Sequence, residues 1–316
     1  MREQFKPPIT RPEDFSAFWR STRLQLEQID AKVHRDSKIA GDIPGVSGMI
    51  ISFLSLGQIR VSAYFLQWQD EQPRPLLINS HGYGSHCRPR WDWAKQGVNV
   101  VSIDIRGFGI SQAALPKPSR WGYVLTGIET PETSVIRAAV GDYMQAARIG
   151  RELCGDRTCK IGFGGISFSG GLALMSQAIL GQADLLTIGV PTFGWAEGRN
   201  LFVKSGSGAE ISRYLAQRPD YVEDTMVVLR YFDAINFADQ INCPVLLALG
   251  LKDDVVPAKT VYAIANHLQV PYELLEFPVS HTDGPEEEQW NQFESYWMRL
   301  ILEGLPAEFG GRNREQ

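Results

Sequence analysis

No run of about 18 apolar residues occurs anywhere in the 316-residue chain, so the sequence offers no membrane-spanning helix. The first residues, MREQFKPPITRPEDF, lack the apolar core of a secretory signal, which predicts a cytoplasmic protein. Basic residues are not in excess: 31 Lys and Arg against 36 Asp and Glu give a net charge of -5. With no basic cluster either, neither nucleic acid nor a membrane surface is expected as a partner. Cysteine is scarce. Cys87, Cys154, Cys159 and Cys243 show no CxxC spacing, which argues against a zinc site. All four are expected as thiols; Cys154 and Cys159, flanking CGDRTC, would pair only in an oxidising compartment. Internal repeats and low-complexity blocks are also missing.

Apolar residues make up 44% of the chain, enough for a full core, and the length predicts one or two domains. Asp14 is expected to cap a helix whose apolar positions Phe15, Phe18, Trp19, Leu24 and Leu26 follow near-helical spacing. Residues 49–56 and 59–66, parted at Gly57 and Gln58, read as an antiparallel hairpin. Residues 76–79 and 98–103 are apolar throughout, as strands buried on both faces of a parallel sheet are, with a short helix over 91–95 between them. Thr130 and Pro131 predict the start of a long crossover helix carrying Val135, Ile136, Ala139, Val140, Tyr143, Met144, Ala147 and Leu153. Strands follow at 160–163, 185–190, 245–249 and 273–277. Between them, residues 191–242 are mostly helical and too long for a simple connection, so they read as a lid-like insertion. A last helix is expected from Pro285, with Glu286 to Glu288 in its first turn and Trp290, Phe293, Trp297 and Leu300 buried, before a frayed tail.

The chemistry centres on residues 161–174, IGFGGISFSGGLAL, where an apolar run breaks into glycines around a serine and resumes as helix. A serine at such a turn is exposed above the sheet, the geometry of a GxSxG nucleophile elbow; Gly165 and Ser167 fit, and Ser169 stands at the final glycine. A hydroxyl is a weak nucleophile until a base takes its proton, and that base needs a carboxylate to hold its tautomer. His281, in the FPVSHTDG loop after the last strand, can project over the carboxyl edge of the sheet. In LGLKDDVVP, Asp253 or Asp254 reaches the same edge; Asp253 is the candidate acid, because Asp254 lies closer to the helix after Pro257 and suits its cap. The order Ser167, Asp253, His281 is that of α/β-hydrolases, unlike chymotrypsin or subtilisin. Oxyanion donors would be the backbone amides of Phe168, after the nucleophile, and Tyr83, in the HGYG at residues 81–84. His81 is expected to be structural, and Arg106 in DIRGFGIS to brace neighbouring loops. His34 is expected in a polar loop and His267 at the end of a helix, neither functional. Phe108 and Trp195, with Phe168, Trp91 and Phe193, are candidates for lining an apolar substrate pocket.

With these residues in place, the chain resembles the acetyl xylan esterase and cephalosporin C deacetylase family of carbohydrate esterases. The resemblance runs from PEDFSAFW through HGYG, DIRGFG and GISFSGGLAL to GLKDDVVPAKTVYAIAN and the histidine loop. It implies a single α/β-hydrolase domain over 1–316, a mostly parallel sheet flanked by helices, with a helical arm at 1–45 and the insertion at 191–242. It further implies a cofactor-independent serine esterase acting on small acylated substrates, with Ser167 as nucleophile, Asp253 as acid, His281 as base and the amides of Tyr83 and Phe168 as the oxyanion hole. Family members are ring-shaped hexamers, so a homo-oligomer is implied as well. Three signature positions differ: the family's RGQ ends here in Phe108, its GxSQG carries Phe168, and its histidine–glutamate pair is His281 and Thr282. The triad alone leaves a peptidase or amidase on the same fold as a second reading, and the changed positions leave a non-catalytic binding protein as a third. A dehalogenase is disfavoured by serine where that chemistry needs aspartate.

Overall fold

The computed structural model describes residues 5–203, 205–282 and 287–310. After helix α1 (Phe15–Glu27), strands β1 (His34–Ile39), β2 (Val46–Ser55) and β3 (Ile59–Trp68) pair antiparallel in sequence order. The remaining strands alternate with helices: β4 (Arg74–Ser80), α2 (Trp91–Ala94), β5 (Asn99–Asp104), α3 (Val135–Cys154), β6 (Thr158–Ile166), α4 (Phe168–Leu180) and β7 (Leu185–Gly189). Helices α5 (Ala196–Phe202), α6 (Gly206–Gln217), α7 (Val222–Arg230) and α8 (Ile235–Ala238) follow, then β8 (Val245–Gly250), α9 (Ala258–Ala265), β9 (Tyr272–Phe277) and α10 (Glu287–Glu303). One sheet results, in the order β1-β2-β3-β5-β4-β6-β7-β8-β9, parallel from β5 to β9.

The apolar runs explain this layout. Every residue of β5, β7 and β8 is buried, as strands covered by helices on both faces require. β1 escaped the sequence pattern because HRDSKI is polar and almost wholly exposed; it is a charged edge strand with a bulge between Arg35 and Ser37, features that discourage edge-to-edge association. His34 therefore opens a strand rather than lying in a loop.

Helix boundaries follow local hydrogen bonding. α3 starts at Val135, later than Thr130 and Pro131 suggest, because Ser134 is the cap: its Oγ accepts from the amide of Ile136 at 3.2 Å, while residues 130–133 form a turn closed by Thr133 Oγ1 donating to the Gly127 carbonyl at 2.8 Å. Asp14 sits at the N-cap position of α1 but its carboxylate makes no cap bond; it accepts from the Tyr231 hydroxyl instead. Phe15, Phe18 and Trp19 pack edge-on against Tyr231, Phe232 and Phe237, while Leu24 is half exposed rather than buried. The arm thus docks on α8 and the turn that leads into it from α7, with α3 and α4 also beside α1. Trp290, Phe293, Trp297 and Leu300 of α10 are buried as expected; Pro285, Glu286 and residues 311–316 lie outside the described residues. All four cysteines are free thiols, and burial pushes Cys154 and Cys243 up to about 12. Among the described residues no helix is long and apolar enough to cross a membrane, and no cluster of ligands is placed to hold a metal.

Candidate active site

β4 and β6 are neighbours, and the chain leaves them in opposite lateral directions, β4 toward β5 and β6 toward β7. Such a reversal opens a crevice at the carboxyl ends of the strands. HGYG leaves β4 and Ser167 leaves β6 at this point.

Ser167 has φ 61° and ψ -118°, a left-handed conformation that costs a non-glycine residue about 1–3 kcal/mol. Neighbours hold it there: its amide donates to the Gly189 carbonyl at 2.8 Å, and its carbonyl accepts from Gly171 at 3.1 Å and Thr192 at 3.0 Å. The glycines give the turn its clearance. A Cβ at Gly165 would lie 1.9 Å from Ser169 Oγ, and one at Gly171 2.5 Å from the Thr192 carbonyl oxygen. Ser169 fits the position of the motif's last glycine: fully buried, its Oγ accepts from the Ser80 amide at 2.9 Å and donates to the Gly164 carbonyl at 3.3 Å. It ties the end of β4 to β6. Ser167 Oγ makes no helix-cap bond and lies 3.4 Å from Thr192 Oγ1.

Asp253 follows β8, and its side chain is wholly buried. Oδ1 accepts from the amides of Val255 at 3.0 Å and Val256 at 2.8 Å, and Oδ2 accepts from the His281 amide at 3.1 Å and lies 2.5 Å from His281 Nδ1. Burial raises this carboxyl, but the hydrogen bond and charge of His281, with the amides of Val256 and His281, outweigh it and the net shift is downward. With Nδ1–H given to the carboxylate, neutral His281 keeps its Nε2 lone pair free. Asp254 does not cap α9, whose N-cap position is Pro257; it is exposed and faces the cavity.

Ser167 and His281 share a cavity of about 710 Å³ with Gly82, Tyr83, Thr192 and Asp254. Ser205, Gly206 and Ser207, at the start of α6, complete its far wall. The amide of Phe168 is the first of α4, and the first N–H groups of a helix have no carbonyl partner within it. His81 is structural: its ring is buried, Nδ1 lies 2.8 Å from the Gly82 carbonyl, and Nε2 accepts from the Ile105 amide at 3.2 Å. Arg106 binds Asp142 through Nε at 2.9 Å and Nη2 at 2.6 Å and donates to the Leu56 carbonyl at 3.1 Å, a brace between loops. His267 is buried at the end of α9, with Nδ1 2.8 Å from the Ala263 carbonyl.

None of the five aromatics expected on the pocket wall lines this cavity. Phe108 lies a layer behind, its ring 6.0 Å from Tyr83 and 6.2 Å from Phe168, because Tyr83 occupies the space in front. Trp195 turns away to pack on Phe5 at 4.7 Å and Phe202 at 5.9 Å, with Lys259 Nζ 5.1 Å above it. Phe168 is itself fully buried, so its ring shapes the wall only through Tyr83, 5.7 Å away. Sequence reasoning missed Thr192 and the hydroxyl-rich wall. The signal was the SGSG at residues 205–208, a helix start inside the insertion. Behind this wall, Arg199 donates to Ser207 Oγ at 2.8 Å, and burial lowers its guanidinium to about 10. Asp233, which accepts from the amides of Trp195, Ala196 and Ile235, is raised by burial to about 7.

Strand order, a strained serine between β6 and α4, and an acid and histidine after β8 and β9 define an α/β-hydrolase. A model of the acetyl xylan esterase (AXE1) family matches residues 2–299, and the chain belongs to that family. It superposes on the acetyl xylan esterase of Paenibacillus sp. R4 with a TM-score of 0.84 at 23% identity, covering 95% of this chain and 98% of that one. Acetyl xylan esterase 1 from Thermoanaerobacterium sp. gives 0.84 at 21% identity, with the same 95% and 98% coverage. The acetyl esterase Axe7A of Xylanibacter ruminicola is 28% identical over 81 residues, which is 26% of this chain and 17% of that relative's length.

Proposed function

We propose that the protein is a cofactor-independent serine esterase that removes acetyl groups from small acetylated sugars or related small molecules. One observation carries the reading: Ser167, held in a strained turn with its hydroxyl not spent on capping, opens onto the same cavity as a histidine whose Nδ1 is fixed by a buried carboxylate. In the first half-reaction Ser167 Oγ rotates from Thr192 toward His281 and attacks the carbonyl carbon as Nε2 takes its proton. The carbonyl π pair moves onto oxygen, where the amides of Tyr83 and Phe168 receive the negative charge. Collapse of this intermediate breaks the bond to the alcohol, which leaves with the proton from Nε2. Water then repeats the sequence on the acyl-serine, releasing acetate and restoring Ser167. The Asp253 carboxylate holds the imidazole tautomer and stabilises the imidazolium at each stage.

The cavity wall supports hydroxyl-bearing alcohol parts, since Thr192, Ser205, Ser207 and Thr282 offer both donors and acceptors. The four free thiols support a cytoplasmic setting, and the family resemblance supports a homo-oligomer, specifically a hexamer, which its mass in solution tests. Hydrolysis of acetyl, butyryl and octanoyl esters of one alcohol, beside an aminoacyl amide, tests the reaction. Rates falling steeply from acetyl to octanoyl are expected; preference for the amide would move the assignment to a peptidase, and a flat acyl profile would contradict an acetyl pocket.

A further inference from the structure

In the loop that presents the Tyr83 amide, the Gly82 carbonyl accepts from the Ser85 amide at 3.1 Å and lies 2.8 Å from His81 Nδ1. A Cβ at Gly82 or Gly84 would meet nothing within 4 Å, so neither glycine is packed in place. The side chain of Tyr83 supplies the packing, anchored at both ends. Its ring lies edge-on to Phe108, Tyr123 and Phe168 at 6.0, 6.0 and 5.7 Å, and its hydroxyl donates to Glu210 Oε2 at 2.7 Å. Glu210 belongs to α6, the helix whose first residues line the far wall of the cavity. Its carboxylate is wrapped by the turn at residues 122–124. A Cβ at Gly122 would stand 1.9 Å from Oε2, and the Val124 amide bonds to the same carboxyl. Burial raises both the Glu210 carboxyl and the Tyr83 phenol, and the bond between them is partly buried.

We propose that Glu210 is a positioning residue for the oxyanion hole: by holding the Tyr83 hydroxyl it fixes the ring, the Cα and hence the direction of the Tyr83 N–H. A phenol has only two rotatable side-chain bonds, so tethering its oxygen and packing its ring determines where the backbone lies. The tether also joins the α6 wall, which faces the alcohol part of the substrate, to the donor that stabilises charge on the acyl part. An oxyanion donor acts only if it is already aimed when charge develops. The inference rests on the esterase reading.

The test compares wild type, E210A, E210Q, Y83F and the Y83F/E210A double variant on a short acetyl ester, with active sites counted by completed reaction with a serine-directed phosphonate. Losing an oxyanion donor costs about 100 to 1000 fold, so loosening one is expected to lower kcat by about tenfold or more. KM should change little, because the charge exists only in the transition state. E210Q, whose amide oxygen can still accept from the phenol, should recover most of the loss. The double variant should be no slower than the worse single one, since both remove the same tether. A merely structural Glu210 would lower the melting temperature of E210A and leave kcat per titrated site at the wild-type value; that result, or losses that multiply in the double variant, overturns the positioning role. Wild-type protein that neither hydrolyses the ester nor takes up the phosphonate overturns the esterase reading and this inference with it.

Discussion

Asp142 and Asp253 are both carboxylates with no exposed side-chain surface, each bound to one basic side chain, yet they do opposite work. Asp142 takes both nitrogens of the Arg106 fork together with the Arg106 amide at 3.1 Å. Burial pulls the guanidinium down, but Asp142 more than restores it, so Arg106 stays charged at any working pH and the pair is a lock. Asp253 divides its oxygens: one is saturated by two loop amides, the other meets a histidine able to gain and lose a proton. Burial is the same in both places. The partner, and how many neighbours fix the carboxylate independently of it, decides whether a buried pair holds the fold or serves chemistry.

The sharpest way to break this comparison is to change each carboxylate in turn. D253N should lower kcat by about ten-thousandfold, because an amide donor facing Nδ1 selects the wrong imidazole tautomer. The melting transition should survive, as the asparagine oxygen can still accept from Val255 and Val256. D142A should do the reverse, costing about 3–5 kcal/mol of stability by leaving the Arg106 charge buried and unpaired, while turnover per titrated site stays near wild type. Replacing both members, as R106M/D142L, should recover most of that stability, since an apolar pair of similar volume needs no desolvation of charge. Denaturant melts and phosphonate titration distinguish the outcomes.

A smaller effect separates Asp253 from Asp233. The folded-state pKa of Asp253 is depressed, so its contribution to stability is present above the ordinary carboxylate value of about 3.9 and is lost as pH falls through the folded value. Asp233 is raised to about 7, so the native state binds its proton more tightly than the unfolded chain does. Its contribution therefore declines as pH rises from about 4 to about 7. The stability difference between wild type and D233N should fall across that window. The difference between wild type and D253N should instead shrink toward acid.

Much of the fold was legible because its signals are local. The apolar runs at 76–79 and 245–249 became fully covered strands, and the glycines around Ser167 became a strained turn that needs their missing side chains. Where the sequence misled, long-range packing decided. Nothing in the composition of Phe108 or Trp195 tells which layer around a cavity an aromatic ring will occupy; Tyr83 and Phe5 settled that from distant parts of the chain. Asp254 was nearer the helix it was expected to cap, yet the loop amides turned to Asp253, which is buried and had no water to bond. The Glu210 contact to Tyr83 spans 127 residues and carries no motif, so it was invisible until the insertion was seen against the HGYG loop.

The central claim is that Ser167 is the residue that becomes acylated. Mass spectrometry of the protein after reaction with a serine-directed phosphonate, set beside acetyl-ester hydrolysis by S167A, tests it most directly. The account predicts one adduct, on Ser167, absent from S167A together with the ester hydrolysis. An adduct on Ser169, or S167A hydrolysing the ester at the wild-type rate, would contradict it.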